Sequence, residues 1–189
     1  TTTDFSSLIR AVRAANADLV FVASYPNDSV AIVRSVNEIG IGKNVKMFGG
    51  GMVGLQFTPI MVNLGSMLNG ITNYNTYVPG MSYPGIEDYF ARYQKKAAEA
   101  KVAPLGYYIT PFNYAMGQMI EQAVNGTKSL DQKKLARYLH SHTMKTIVGP
   151  IRYQADGEWA EPRVVQAQFR GVKDKDLEQF KKPGWAVVI

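Results

Sequence analysis

The chain has 189 residues, 46% of them apolar and 19% charged, with no cysteine and a formal net charge of +6. That composition belongs to a folded chain with a core, and it excludes intrinsic disorder, disulfides and thiolate metal sites. The positive charge is concentrated in helix-end pairs such as Lys95-Lys96, Lys133-Lys134 and Lys181-Lys182, which sit beside acids; these are solvated faces, and no nucleic-acid track is expected.

The first seventy-odd residues alternate helix and strand as a parallel, doubly wound sheet requires. Asp4 can cap a helix whose Leu8, Ile9 and Val12 share a face, and Asp18–Ala23 then reads as a strand buried on both sides. Asn27 or Asp28 is expected to cap the next helix, with Val30, Val33, Val36 and Ile39 facing the sheet and Gly40 as its stop. Val45–Phe48 reads as the second strand. The uncharged stretch Val53–Ile71 is broken by Gln56, Pro59, Asn63, Gly65 and Asn69, so it is not a membrane span. Thr58-Pro59 opens a short helix to about Leu68, and Gly70–Val78 is the third strand.

From Pro79 the chain becomes loop and then helices. Glu87 and Asp88 open one, with Ile86, Tyr89, Phe90 and Tyr93 on its apolar side. Thr110-Pro111 starts the clearest helix, where Phe112, Ala115, Met116, Met119, Ile120, Ala123 and Val124 recur at three- and four-residue steps until Asn125-Gly126. Ser129-Leu130-Asp131-Gln132 is a capping-box pattern for another helix to about His142. Thr146–Tyr153 and Pro162–Phe169 read as strands joined through the turn Asp156-Gly157, and Trp185–Ile189 is a last apolar strand. The chain thus opens on a sheet-covering helix and closes inside an apolar strand, and an excerpt of a longer protein is expected.

Most catalytic templates lack a part. Gly49-Gly50-Gly51-Met52-Val53-Gly54 satisfies GxGxxG, but no acid occurs between Glu38 and Glu87 to take a ribose, and the next helix signal comes late, at Thr58. A nucleotide-dependent enzyme is therefore a remote alternative, and the glycines read instead as a backbone passing close to something at the sheet's carboxyl edge. His140 and His142, two apart on a helix, point about 200° apart and cannot share a metal. There is no GxSxG elbow. No cofactor, metal or catalytic residue is expected. What remains is a set of aromatics at loop ends. Tyr25 follows Ser24 at a strand's carboxyl end, where open α/β sheets bind ligands, and Phe57, Tyr107 and Tyr108 offer further flat walls with polar handles.

The order of these features resembles a known family. Thr3-Asp4-Phe5 through Ala17-Asp18-Leu19-Val20-Phe21, then Tyr25-Pro26, Arg34, Gly40 and Phe48-Gly49-Gly50, is similar to the second lobe of Leu/Ile/Val-binding-type periplasmic receptors. Tyr107-Tyr108 through Tyr114-Ala115, Thr146-Ile147-Val148-Gly149-Pro150 and Asp156-Gly157-Glu158 continue the match. The resemblance implies an α/β, two-lobed periplasmic-binding fold of type I that closes on ligand by hinge motion and delivers it to an ABC permease. Only part of each lobe would be present: residues 1–78 in the second lobe, 79–160 returning to the first, and 161–189 crossing back. The amino-terminal half would lie upstream, and the location would be the periplasm. Tyr25 matches the family's cleft tyrosine, whereas the glutamate that grips a ligand ammonium falls at Gly50 or Gly51. That departure implies either an aromatic or other organic acid, or an amino acid held by other residues. The ligand-binding set is then Ser24, Tyr25, Gly49, Gly50, Gly51, Met52, Val53, Phe57, Tyr107 and Tyr108, with the glycines opening room and Met52, Val53 and Phe57 as adaptable walls. A ligand-sensing domain of the same fold is the alternative use.

Overall fold

The computed structural model describes residues 4–189, so Thr3, the first residue of the resemblance, lies outside it. The chain forms two compact units, Thr1–Gly80 with Val164–Ile189, and Met81–Arg163.

In the first unit, helix α1 (Ser6–Ala15) leads to strand β1 (Leu19–Ser24), helix α2 (Pro26–Ile39), strand β2 (Met47–Met52), helix α3 (Thr58–Leu64) with a 3₁₀ turn Gly65–Leu68, and strand β3 (Ile71–Asn75). The N-cap position of α1 falls at Phe5, which has no side-chain cap, and Asp4 lies one residue ahead of it; hydrogen bonds from the Ser6 hydroxyl and then from the Ser6 amide, the latter at 2.8 Å, hold the Asp4 carboxyl below the usual carboxylate range. Ile9 is buried, but Leu8 points outward. Proline fixes the backbone torsion that a first helical turn needs, and accordingly α2 begins at Pro26 with Tyr25 in extended conformation before it. Capping by Asn27 or Asp28 is therefore corrected: both lie inside the helix.

The sheet order is β1-β2-β3-β6-β7, where β6 is Val165–Phe169 and β7 is Ala186–Val188. Strands β1, β2 and β3 are parallel, while β6 pairs antiparallel with β3 and β7 antiparallel with β6. The sheet is thus parallel in its first three strands and mixed overall. Strand β1 is not buried on both sides: it is an edge strand, and exposure alternates along it with Leu19 and Phe21 outward. Beneath the sheet, Ile32, Val33, Phe48, Met52, Leu55, Met61, Leu64 and Ile71 form the core, and Phe169, Phe180 and Trp185 close its far end, the last two rings edge to face at 5.7 Å.

The second unit holds helices α4 (Ile86–Ala100), α5 (Thr110–Thr127) and α6 (Gln132–Ser141) and the hairpin β4 (Met144–Thr146) with β5 (Gly149–Ile151). The expected pairing of Thr146–Tyr153 with Pro162–Phe169 does not form. The hairpin turns at Ile147-Val148, and β6 belongs to the five-stranded sheet, leaving Asp156-Gly157 to close only a single bridge between Tyr153 and Trp159. Helix α5 runs through Asn125-Gly126 to Thr127, because the Thr127 hydroxyl bonds back to the Ala123 carbonyl and the turn inverts at Lys128 instead. Its buried stripe is Ala115, Met119 and Ala123, whereas Met116 and Ile120 face outward. On α6 the cap is Asp131 rather than Ser129: the Asp131 carboxylate accepts the Lys134 amide at 2.9 Å, and Ser129 supports the Asp131 amide.

Candidate functional site at the carboxyl edge of the parallel strands

Register places Ser24 of β1 beside Met52 of β2, so the loops that follow the two strands leave the sheet side by side. Tyr25 stands between β1 and α2 with 76% of its surface exposed. Its backbone is anything but loose. The Ser29 amide donates to the Tyr25 carbonyl at 2.7 Å, and the Val53 amide donates to the Ser24 carbonyl at 2.9 Å. The Ser29 hydroxyl donates to the Val53 carbonyl at 2.8 Å and also lies 2.8 Å from the Ser24 hydroxyl. A serine has one hydroxyl proton, and that of Ser29 goes to Val53, so Ser24 must be the donor in the second bond. The Ser24 hydroxyl can then offer a ligand only a lone pair.

The neighbouring strand tips are joined in the same way. Asn73 of β3 accepts the Met52 amide at 2.8 Å through its side-chain carbonyl. Buried Gln56, in the loop after β2, donates to the Tyr74 carbonyl at 2.7 Å and accepts the Thr76 amide at 3.2 Å. Side-chain hydroxyls and carboxamides therefore bind the ends of β1, β2 and β3 into one rigid edge. Ser29 and Gln56 were not among the residues selected from sequence. The available signal for Gln56 was a long polar side chain in an otherwise apolar, uncharged stretch.

The glycines have a different setting from the one expected. Strand β2 continues through Gly49, Gly50 and Gly51 to Met52, so they lie within the strand and not after it. Gly49 and Gly50 have φ of +120° and +106°, which side chains of L residues rarely adopt. A β-carbon on Gly49 would overlap the Thr72 carbonyl oxygen; on Gly50 it would come within 2.8 Å of the Phe21 ring, and on Gly51 within 3.1 Å. The space over Gly50 and Gly51 is therefore occupied by Phe21, itself 70% exposed, and it is not open room for a ligand. Nor does a helix start at the glycines, since α3 begins at Thr58, so the cradle that GxGxxG makes for a pyrophosphate is not formed.

Met52 is fully buried and supports the edge from behind, while Val53 and Phe57 are half-buried within it. Tyr107 and Tyr108 belong to the second unit. The Tyr107 ring is buried edge-on against Phe90 at 5.2 Å, a core contact, and Tyr108 is half-buried just before the start of α5. The second unit also carries a groove of 470 Å³ bordered by Tyr89, Arg92, Tyr93, Lys95, Lys96 and Tyr114. Arg92 is already paired with Asp88 at 3.0 Å and lies over the Tyr114 ring, so this is a charged helix face with its arginine committed. Burial pushes the Tyr89 and Tyr93 phenols above their ordinary value. His140 bonds the Gln154 carbonyl and His142 stacks on Tyr138 at 3.9 Å, and among the described residues no group of His, Asp or Glu is placed to hold a metal ion.

A model of periplasmic binding proteins matches residues 1–173. The chain belongs to that family. It is 31% identical over 132 residues to Leu/Ile/Val-binding protein homolog 7 of Brucella abortus, a match covering 69% of this chain and 32% of that protein. Homolog 8 of the same organism is 29% identical over 137 residues, covering 71% and 33%. Among solved structures, a leucine-, isoleucine-, valine-, threonine- and alanine-binding protein from Brucella ovis superposes with a TM-score of 0.70 at 19% identity, covering 89% of this chain and 42% of that one. A solute-binding protein from R. palustris in complex with benzoate gives 0.66 at 15%, covering 91% and 45%. The branched-chain amino acid transporter substrate-binding protein of Streptococcus pneumoniae, in complex with isoleucine, gives 0.67 at 15%, covering 100% and 49%. The fold is therefore that of these binding proteins, and the chain spans about a third of the length of the curated relatives. Among the described residues no helix of this family member is long and apolar enough to cross a membrane.

Proposed function

We propose that this chain is part of the extracytoplasmic solute-binding component of an ABC importer and holds a small organic acid or amino-acid-like molecule against the edge built around Tyr25. In this reading Thr1–Gly80 with Val164–Ile189 belong to the second lobe, Met81–Arg163 belong to the first, and an ABC permease receives the ligand. The observation that carries the reading is Tyr25 itself: a solvent-exposed ring mounted on a backbone bonded on both sides, at the carboxyl end of a parallel strand. A rigid exposed aromatic contributes contact area at low entropic cost, which is what a binding wall needs.

Of the two ligand classes, an aromatic or other organic acid fits better. The edge residues Ser24, Tyr25, Val53, Gln56, Phe57 and Tyr74 are neutral. A buried ammonium or carboxylate without a counter-charge costs several kcal/mol, on the order of the whole binding energy of a weak ligand, and an organic acid brings one such group to this neutral edge where an amino acid brings two. The nearest acid in sequence, Asp28, sits in the first turn of α2, where the helix dipole already accounts for it. Benzoate and isoleucine, which the two neighbours named above hold, are the natural pair of probes. Thermal denaturation of the full-length protein should show benzoate raising the midpoint by several degrees, because a ligand at a hundred times its Kd adds about 2.7 kcal/mol. Isoleucine and leucine raising it while benzoate does not would reverse the ligand class, and no shift with any of these would remove the support for the solute-binding reading.

A further inference from the structure

Ser29 is fully buried in the first turn of α2, and no requirement of helix formation explains a hydroxyl there. Serine is a middling helix former whose side chain competes for backbone bonds, so an alanine would serve the helix better. What the hydroxyl does is join two loops. It donates to the Val53 carbonyl after β2 and accepts from Ser24 at the end of β1, while its own amide holds the Tyr25 carbonyl. The loops are also pressed together: a β-carbon on Gly54 would lie 2.9 Å from Pro26. Tyr25 is thus framed by Ser24 on one side and Pro26 on the other, and both are fixed to the β2 loop.

We infer that Ser29 is a positioning residue for the binding edge: without touching ligand, it locks the Tyr25 and Val53 loops into one wall, so the affinity carried by the Tyr25 ring depends on the Ser29 hydroxyl. The inference rests on the solute-binding reading and deepens it. Replacing Ser29 with alanine leaves the half-buried Val53 carbonyl and the Ser24 hydroxyl each without this partner.

The test uses the full-length protein labelled with 3-fluorotyrosine, the Tyr25 resonance being assigned by Tyr25→Phe, and benzoate as the probe in titration calorimetry. Ser29→Ala is expected to broaden or split the Tyr25 fluorine signal and weaken benzoate binding about tenfold, the equivalent of one lost hydrogen bond. Ser35→Ala, at a buried serine further along α2 and outside the binding edge, should change affinity less than about threefold. In a Tyr25→Ala background, Ser29→Ala should weaken binding less than about twofold further, because its effect passes through the missing ring. Should Ser29→Ala not fold, Ser29→Cys keeps the size with a weaker donor and should give the same changes in milder form. An unchanged Tyr25 signal in Ser29→Ala or Ser29→Cys overturns the inference, and so do losses from Ser29→Ala and Tyr25→Ala that simply add. If the wild-type protein binds no benzoate, the organic-acid reading is what fails, and the fluorine signal alone decides the role of Ser29.

Discussion

Gly49→Ala separates a packing role for the glycines of β2 from a ligand-binding one. Gly49 has a φ of +120°, and an L residue held there pays on the order of 1–3 kcal/mol. The added methyl would also overlap the Thr72 carbonyl oxygen on the adjacent strand, a backbone atom that no rotamer change can move aside. Overpacking of that kind costs roughly a further 1–3 kcal/mol, so the sum is about 2–6 kcal/mol. At about 2–4 °C per kcal/mol for a protein of roughly this size, the melting temperature should fall by roughly 5–20 °C. Differential scanning calorimetry without ligand measures it. Gly117→Ala is the internal control: the glycine lies inside α5, no atom stands within 4 Å of its would-be methyl, and the substitution should stabilise by about 0.5–1 kcal/mol. A Gly49→Ala protein that melts within a degree of wild type would refute the argument that a glycine is needed at this position for β2 and β3 to approach.

Tyr25→Ala should leave the stability of the unliganded protein within about 0.5 kcal/mol of wild type, since the ring is largely exposed, while calorimetric titration shows weakened binding. Asp131→Ala should cost about 0.5–2 kcal/mol in urea denaturation through loss of the bond to the Lys134 amide, with α6 the element affected. The Tyr89 phenol is raised by burial, so its contribution to stability is complete below the ordinary phenol value near 10 and is lost as the pH rises through that value towards the folded one. Tyr89→Phe should therefore show a shallower loss of melting temperature across that alkaline window, and ultraviolet titration of the wild type should show phenols ionising late.

How far the site was legible differs from residue to residue. The place of Tyr25 was readable because it follows from order alone: an apolar strand, then an aromatic at its carboxyl end. Ser29 was not, since a serine in a helical first turn looks like any other until Val53 is seen opposite it. The role of Gly49–Gly51 was misread for a related reason. Glycine has low strand propensity, so the run reads as a loop, and only the presence of Phe21 and Thr72 on neighbouring strands shows why β2 must pass through it. Tyr107 looked like a wall and is a core ring, because its partner Phe90 comes from a helix whose docking the local pattern does not encode.

What the amino-acid order determined by itself is local in origin: the α/β alternation, the proline-led starts of α3 and α5, and the stop of α2 at Gly40, all consequences of torsions and periodicity within a few residues. What only the tertiary structure decided is which side chains face which: the antiparallel addition of β6 and β7 to a parallel sheet, the outward turn of Phe21, Met116 and Ile120, and the hydroxyl network at the strand tips. These depend on contacts between segments far apart in the chain. Strand pairing and burial are satisfied by the best available partner anywhere in the fold, and propensity at a single position cannot name that partner.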